Sequence, residues 1–275
     1  FFLDGLLLNK RKNPRTFAQN KMLKAFISLL ATLARANTQA DDTQGVFGSE
    51  NEWQTGFIDI GSEGSDMFYW LIKSRREPSS DPLVLWMTGG PGCSSEVGIF
   101  YENGPWRFKG GGVDGKDGDE VTLVKNPHSW NNLANMLFVD NPIGTGYSNS
   151  KKKNFVDNED TLSAQMGIFL KKFLAENPEF AGRDFYVTGE SYAGRYVPAV
   201  THYLLFEATD IDLNLKGMSI GNGDTDPYSA ESFYAQFAIE NGLTDKTVEE
   251  LKADVEKCSD DLSEAEQSQD MEFAQ

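Results

Sequence analysis

Cysteine, histidine and positive charge are all scarce in this chain of 275 residues, and each shortage narrows what the chain can be. Two cysteines, Cys93 and Cys258, are too few for a fold stapled by disulfides. Two histidines, His128 and His202, come with no cluster of metal-ligating side chains, so no metal is expected. There is no phosphate-binding glycine loop, and no cofactor is expected. Lys and Arg number 25 against 42 Asp and Glu. The resulting formal charge of −17 argues against nucleic-acid partners and against adhesion to anionic membranes. No apolar run reaches the ~20 residues that a membrane span needs. No N-x-S/T sequon occurs, so N-glycosylation is not expected either.

What the chain does contain is a globular composition, 39% hydrophobic and 12% aromatic, which excludes disorder throughout. Its length suits one large domain or most of one. No internal repeat is evident.

The most informative stretch is Asp184–Pro198, DFYVTGESYAGRYVP. Phe185 to Thr188 are β-branched or aromatic and read as a short buried strand. Gly189-Glu190-Ser191-Tyr192-Ala193-Gly194 follows, then a segment expected to be helical until Pro198. Strand, G-x-S-x-A-G and helix is the setting of a nucleophile elbow, in which small residues must flank the serine because the turn is tight. On that pentapeptide alone, a Gly-Ser linker between a strand and a helix is an equal alternative.

Pro82–Glu96, PLVLWMTGGPGCSSE, favours the enzyme. Leu83 to Met87 form the continuous apolar run of a strand buried on both faces. The run breaks at Gly89-Gly90-Pro91-Gly92, where the backbone must approach something closely or take positive φ. An α/β-hydrolase draws one oxyanion donor from the residue after the nucleophile, here Tyr192. The other comes from a glycine loop after the third strand, here Gly90. Two such motifs in the expected order make Ser191 the expected nucleophile.

With these motifs in hand, the chain resembles the serine carboxypeptidases. TGGPGCSS, ENGPW (Glu102–Trp106), NPHSW (Asn126–Trp130), NMLFVDNPIGTGYS (Asn135–Ser148), GESYAGRYVPA and LKGMSIGNGDTDP (Leu215–Pro227) carry the resemblance, from about Trp53 to Cys258. It implies an α/β-hydrolase fold, with a mostly parallel central sheet and helices on both faces, incomplete at the C-terminus. The implied activity is release of single residues from peptides with a free C-terminus, best at acidic pH. Related acyltransferases or esterases, and a non-catalytic secreted protein on the same fold, are the alternatives.

The resemblance also implies site residues. Glu190 is expected to hold the substrate's terminal carboxylate, with Glu102 beside it sharing a proton, because two adjacent buried charges are costly. The alternative is two independent surface glutamates. Gly89 and Thr88 complete the expected carboxylate site. Thr88 stands where relatives carry Asn, and its hydroxyl has less reach than an amide. The family pairs the cysteine of GGPGC with a later one, and Cys258 matches a position that pairs inside a cap. Both partners are therefore expected beyond this chain.

Organisation follows in order. Residues 1–21 are expected to be a non-native or untranslated leader, and residues 22–40 a signal peptide opening at Met22 with the apolar run Ala25 to Leu33. A short amphipathic helix is the alternative for that run. The secretory pathway, ending outside the cell or in a vacuole or lysosome, is the implied location. Residues 41–227 read as the N-terminal part of the hydrolase core, and 228–275 as the truncated start of a helical cap insertion. Strands are expected at Gly56–Ile60, Met67–Ile72, Leu83–Met87, Asn135–Asp140, before the elbow, and at Lys216–Gly221, with a surface loop over 109–119. Leu162, Met166, Phe169, Leu170 and Phe173 recur at helical spacing and predict a crossover helix stopped by Asn177-Pro178. Thr244 is the expected cap of a helix bearing Leu251 and Val255. The acidic end, DDLSEAEQSQDMEFAQ, reads as a solvated helix face or frayed end. His128, in a loop before the fourth strand, and His202, about three helical turns past Ser191 and pointing away from the catalytic edge, read as structural, and the chain order in this fold is Ser, acid, His. The acid and base are thus expected past residue 275.

Overall fold

A computed structural model describes residue 47 and residues 52–268, except 62–63, 110–120, 152–154 and 209. The expected leader, the signal peptide and the last seven residues lie outside the described residues.

The core is a six-stranded sheet. Its strands are β1 (Trp53–Asp59), β2 (Asp66–Ile72), β3 (Leu83–Thr88), β6 (Asn135–Val139), β7 (Asp184–Glu190) and β8 (Asn214–Gly221). They lie in the order β1-β2-β6-β3-β7-β8. The hairpin β1–β2 and the pair β2–β6 are antiparallel, while β6, β3, β7 and β8 run parallel. All six expected strands are present, though β1 runs from Trp53 to Asp59 rather than from Gly56 to Ile60, β6 ends at Val139 rather than Asp140, and β8 begins at Asn214 rather than Lys216. Two further short strands, β4 (Trp106–Lys109) and β5 (Thr122–Lys125), form a separate hairpin that sequence reading did not anticipate. Lys109, expected in the surface loop, belongs to β4 instead, and residues 110–120 lie outside the described residues.

Successive side chains of a strand face opposite ways, and β2 separates two cores on that basis. Met67, Tyr69 and Leu71 face the long helices α2 (Glu159–Glu176) and α3 (Ala193–Phe206), joining Leu85, Met87, Phe169 and Phe173. Phe68, Trp70 and Ile72 face the other way, onto Ile99 and Phe100 of the short helix α1 (Glu96–Tyr101) and Trp106 of β4. This second face is closed mostly by rings: Trp70 lies 5.9 Å from Phe100 and 5.7 Å from Trp106. The five apolar positions of the predicted crossover helix are all buried in α2, which Asn158 caps through Thr161 N–H. The chain thus has an α/β-hydrolase fold, a mostly parallel sheet with helices on both faces.

Two helix boundaries differ from expectation. Helix α3 does not stop at Pro198 but continues to Phe206. An interior proline costs about 3 kcal/mol, but Tyr196, Val197 and Val200 are all buried against the sheet. Each such side chain contributes roughly 1.5–3 kcal/mol, so packing outweighs the break. After α4 (Pro227–Glu240), α5 (Val248–Ser268) is capped by Thr247 rather than Thr244. Glu250 N–H donates to Thr247 Oγ1, and Thr247 N–H donates to the Glu250 carboxylate. That reciprocal capping box satisfies two orphan donors, whereas Thr244 Oγ1 accepts from Lys246 N–H in the turn before it.

Candidate active site

The two motifs meet at the carboxyl ends of β3 and β7, the edge where ligands bind in open parallel sheets. Their parallel register pairs Met87 with Gly189 and Thr88 with Glu190. Ser191 therefore emerges next to Gly89.

Ser191 has φ 63°, in the left-handed region that costs a non-glycine residue roughly 1–2 kcal/mol. The turn after β8 holds it there. Ser191 N–H donates to Gly221 O at 3.0 Å, and Ser191 O accepts from Gly194 N–H at 2.9 Å and Asp224 N–H at 3.0 Å. The glycines of the motif are steric necessities. A Cβ on Gly189 would lie 2.5 Å from Met87 O and 2.6 Å from the Ala193 methyl. One on Gly194 would lie 2.7 Å from Asp224 N. Arg195, 3.6 Å from the Asp224 carboxylate, fastens the same turn from outside. Sequence reading assigned this Gly221–Asp224 brace no role. Its only signal was the run GNGDTDP.

The glycine loop rests directly on the elbow. A Cβ on Gly89 would fall 2.3 Å from Tyr192 N, 2.6 Å from Glu190 O and 3.0 Å from Ala193 N. Only hydrogen fits between the loop and the Tyr192 amide. Gly90 has φ 116°, and Cys93 N–H closes the loop on Gly89 O at 3.0 Å. Among the described residues, neither the Gly90 nor the Tyr192 N–H donates to a protein acceptor. The unspent Tyr192 amide lies at the start of α3, where the dipole is positive, and together with the unspent Gly90 amide of the loop it can receive a developing oxyanion.

Glu102 and Glu190 come together, and their carboxyl groups are hydrogen-bonded. Burial, then the neighbouring Glu190 charge and that hydrogen bond, push the Glu102 carboxyl up to about 7. The pair thus holds a proton across the acidic range. Glu102 is presented by a loop that NPHSW pins. Asn126 Nδ2 donates to Gly104 O at 2.8 Å, while Ser129 Oγ and Trp130 N–H each donate to Asn103 O at 2.9 Å. A Cβ on Gly104 would come within 2.2 Å of Ile99 O. The ENGPW and NPHSW motifs are therefore one structural unit. Thr88 is buried, and its Oγ1 accepts from the Trp86 indole at 3.0 Å, leaving one hydroxyl proton to donate.

Neither histidine is hydrogen-bonded to Ser191 among the described residues. His128 N–H donates to Asn126 Oδ1 at 3.0 Å in the pinned loop. His202 lies in the third turn of α3, exposed, 3.8 Å from Glu207, with its ring tilted against that of Phe206 at 4.8 Å. Cys93 is exposed and forms no disulfide among the described residues, and Cys258 lies on α5. No group of metal-ligating side chains occurs among the described residues, and no described helix is long and apolar enough to cross a membrane.

Comparison with known proteins finds both structural and sequence relatives. A prohormone-processing carboxypeptidase from Saccharomyces cerevisiae superposes with a TM-score of 0.66 at 29% identity, over 78% of this chain and 48% of that one. Serine carboxypeptidase-like 49 of Arabidopsis thaliana is 41% identical over 202 residues, 72% of this chain and 37% of the relative. Serine carboxypeptidase S10 family member 1 of Dictyostelium discoideum is 38% identical over 208 residues, 74% of this chain and 48% of the relative. The chain therefore spans less than half the length of these relatives. The family model for serine carboxypeptidases matches residues 45–274, and with the elbow, the glycine loop and the carboxyl pair in place, this chain belongs to the serine carboxypeptidase family.

Proposed function

We propose that this chain carries the nucleophile half of a serine-type carboxypeptidase active site, which releases single residues from peptide C-termini through an acyl-enzyme. In this reading Ser191 Oγ attacks the last peptide carbonyl, and the Tyr192 and Gly90 amides hold the oxyanion. The leaving amine departs protonated and water then hydrolyses the ester. The protonated Glu102–Glu190 pair, the Gly89 amide and the Thr88 hydroxyl donate to the substrate's terminal carboxylate. The observation that carries the reading is the conjunction of Ser191 at φ 63° with the unspent Tyr192 amide and, in the glycine loop resting on it, the unspent Gly90 amide.

The base and its orienting acid are assigned to sequence beyond residue 275. Support comes from the Ser, acid, His order of the fold, from the partners of His128 and His202, and from the share of its relatives' length that the chain spans. The signal-like stretch 22–40 supports a place in the secretory pathway, extracellular or vacuolar/lysosomal, and the shared carboxyl proton supports an acidic working range. A fluorophosphonate probe should label the full-length wild-type protein and not Ser191→Ala. Equal labelling of the two would end the assignment.

One observation favours a second reading, an acyltransferase or esterase: the Thr88 hydroxyl is already engaged by the Trp86 indole and is short for gripping a carboxylate. Release of free amino acid from a blocked dipeptide, against acyl transfer to an added alcohol, separates the two.

A further inference from the structure

The glycine loop is anchored at its far end by a second pair of acids that the mechanism above does not use. Glu96, the first residue of α1, and Asp140, just past β6, are both buried. Asp140 is gripped by backbone, its Oδ1 accepting from Ser95 N–H at 2.8 Å and its Oδ2 from Tyr147 N–H at 2.7 Å. Ser95 Oγ donates to Val139 O at 2.6 Å and accepts from Thr88 N–H at 3.2 Å. Thr88 and Ser95 are the two ends of the loop Gly89–Ser94, so the Asp140 carboxylate fixes the frame from which Gly90 hangs. Gly146 permits this closeness, since a Cβ there would lie 2.0 Å from Asp140 Oδ2. Glu96 is hydrogen-bonded to Asp140 and accepts from the Ser94 hydroxyl.

We propose that the Glu96–Asp140 pair is a positioning element for the glycine loop, setting an alkaline limit on turnover separate from that of the Glu102–Glu190 pair. The inference rests on the carboxypeptidase reading above. Two amides are already spent on Asp140, so Asp140 is the acceptor and Glu96 keeps the proton between them. Burial first, then the Asp140 charge, raise the Glu96 carboxyl well above its ordinary range. Among the described residues the other titratable group that interacts with the pair is Tyr147, itself raised by burial and then by these two carboxyls. No cation is ion-paired with either acid among the described residues. As pH rises and the shared proton leaves, two buried charges face each other at the loop's anchor, and nothing nearby neutralises them. The Gly90 amide then loses its placement, which affects the transition state and hence kcat rather than KM.

The test uses full-length protein and a blocked amino-acid ester, which has no terminal carboxylate for Glu102–Glu190 to recognise. Wild type and Glu190→Gln should share the same alkaline fall in kcat on this ester. Glu96→Gln donates the same hydrogen bond but cannot ionise. It should stay within about threefold of wild type at pH 5 and move the fall upward by at least about one pH unit, with KM unchanged. Glu96→Leu, which fills the buried site without titrating, should move the fall in the same direction. Profiles of both variants that superimpose on wild type overturn the proposal. So does a loss that is equal at all pH, which would mark a merely structural role. If the wild type shows turnover that Ser191→Ala does not abolish, the carboxypeptidase reading has failed and takes this inference with it.

Discussion

A methyl group added at Gly89 would collide with the turn that carries the nucleophile, and the size of the collision can be worked out. The new Cβ would lie 2.3 Å from Tyr192 N, 2.6 Å from Glu190 O and 3.0 Å from Ala193 N, where ordinary contact begins at 3.4 Å. All three atoms are backbone, so no side chain can rotate away. Relief requires the loop and the elbow to separate by about 1 Å, the difference between 3.4 and 2.3. A displacement of that size can cost on the order of 10²-fold in rate, and loss of one oxyanion donor costs roughly 10²–10³-fold, about 3–4 kcal/mol. Overpacking of this kind destabilises by about 1–3 kcal/mol. Gly89→Ala in the full-length protein should therefore stay folded with a lowered Tm and lose roughly two to three orders of magnitude in fluorophosphonate labelling rate and kcat/KM. Gly217→Ala on β8 is the control, because its Cβ would meet only the Tyr186 ring, at 3.8 Å. A Gly89→Ala protein that labels within a few-fold of wild type would refute the argument that only hydrogen fits between loop and elbow.

Glu190→Gln should weaken peptides with a free terminal carboxylate more than the corresponding esters or amides, and equal losses would count against carboxylate recognition. Because the Glu102 carboxyl is raised to about 7, KM for free-carboxylate peptides should climb as pH rises through about 7, when the pair loses its proton and repels the substrate. The same sign holds for folding: any stability the shared proton contributes is present at low pH and lost across that interval. The buried Asp81 is the opposite case. Its hydrogen bonds to Arg76 hold it down to about 2, assisted by Ser74 and the Glu77 amide. Its contribution is present above pH 4 and lost as pH falls through about 2, so Asp81→Asn should lower Tm at pH 5 and much less at pH 2. A soluble preparation of residues 41–275 alone should release no C-terminal residues above background, whereas enzyme-like release abolished by Ser191→Ala would oblige His128 or His202 to serve as base.

Several features were legible in the sequence because they are local. Apolar runs with turn residues between them specify each strand of the sheet, and the 3.6-residue recurrence from Leu162 to Phe173 specifies α2, because side-chain direction follows from backbone geometry alone. The G-x-S-x-A-G and GGPG motifs specify sharp turns, because only certain residues fit the dihedral angles and close approaches those turns require. Other features needed contacts between segments far apart in the chain. The left-handed φ of Ser191 is held by Gly221 and Asp224, some thirty positions on. Glu102 reaches Glu190 only because Asn126 and Ser129 fold its loop back over the sheet edge. The β4–β5 hairpin is short, with the exposed face of β5 lacking any strong apolar pattern, and it is fixed by Trp106 packing on Trp70 and Phe100. Pro198 continues a helix that its own chemistry would end, because Val197 and Val200 bury against strands specified elsewhere. Local rules determine which turns and periods a segment can adopt. Tertiary packing decided which acids share a proton, which backbone strain is sustained and which amides are left unspent, since each depends on groups that the sequence keeps apart.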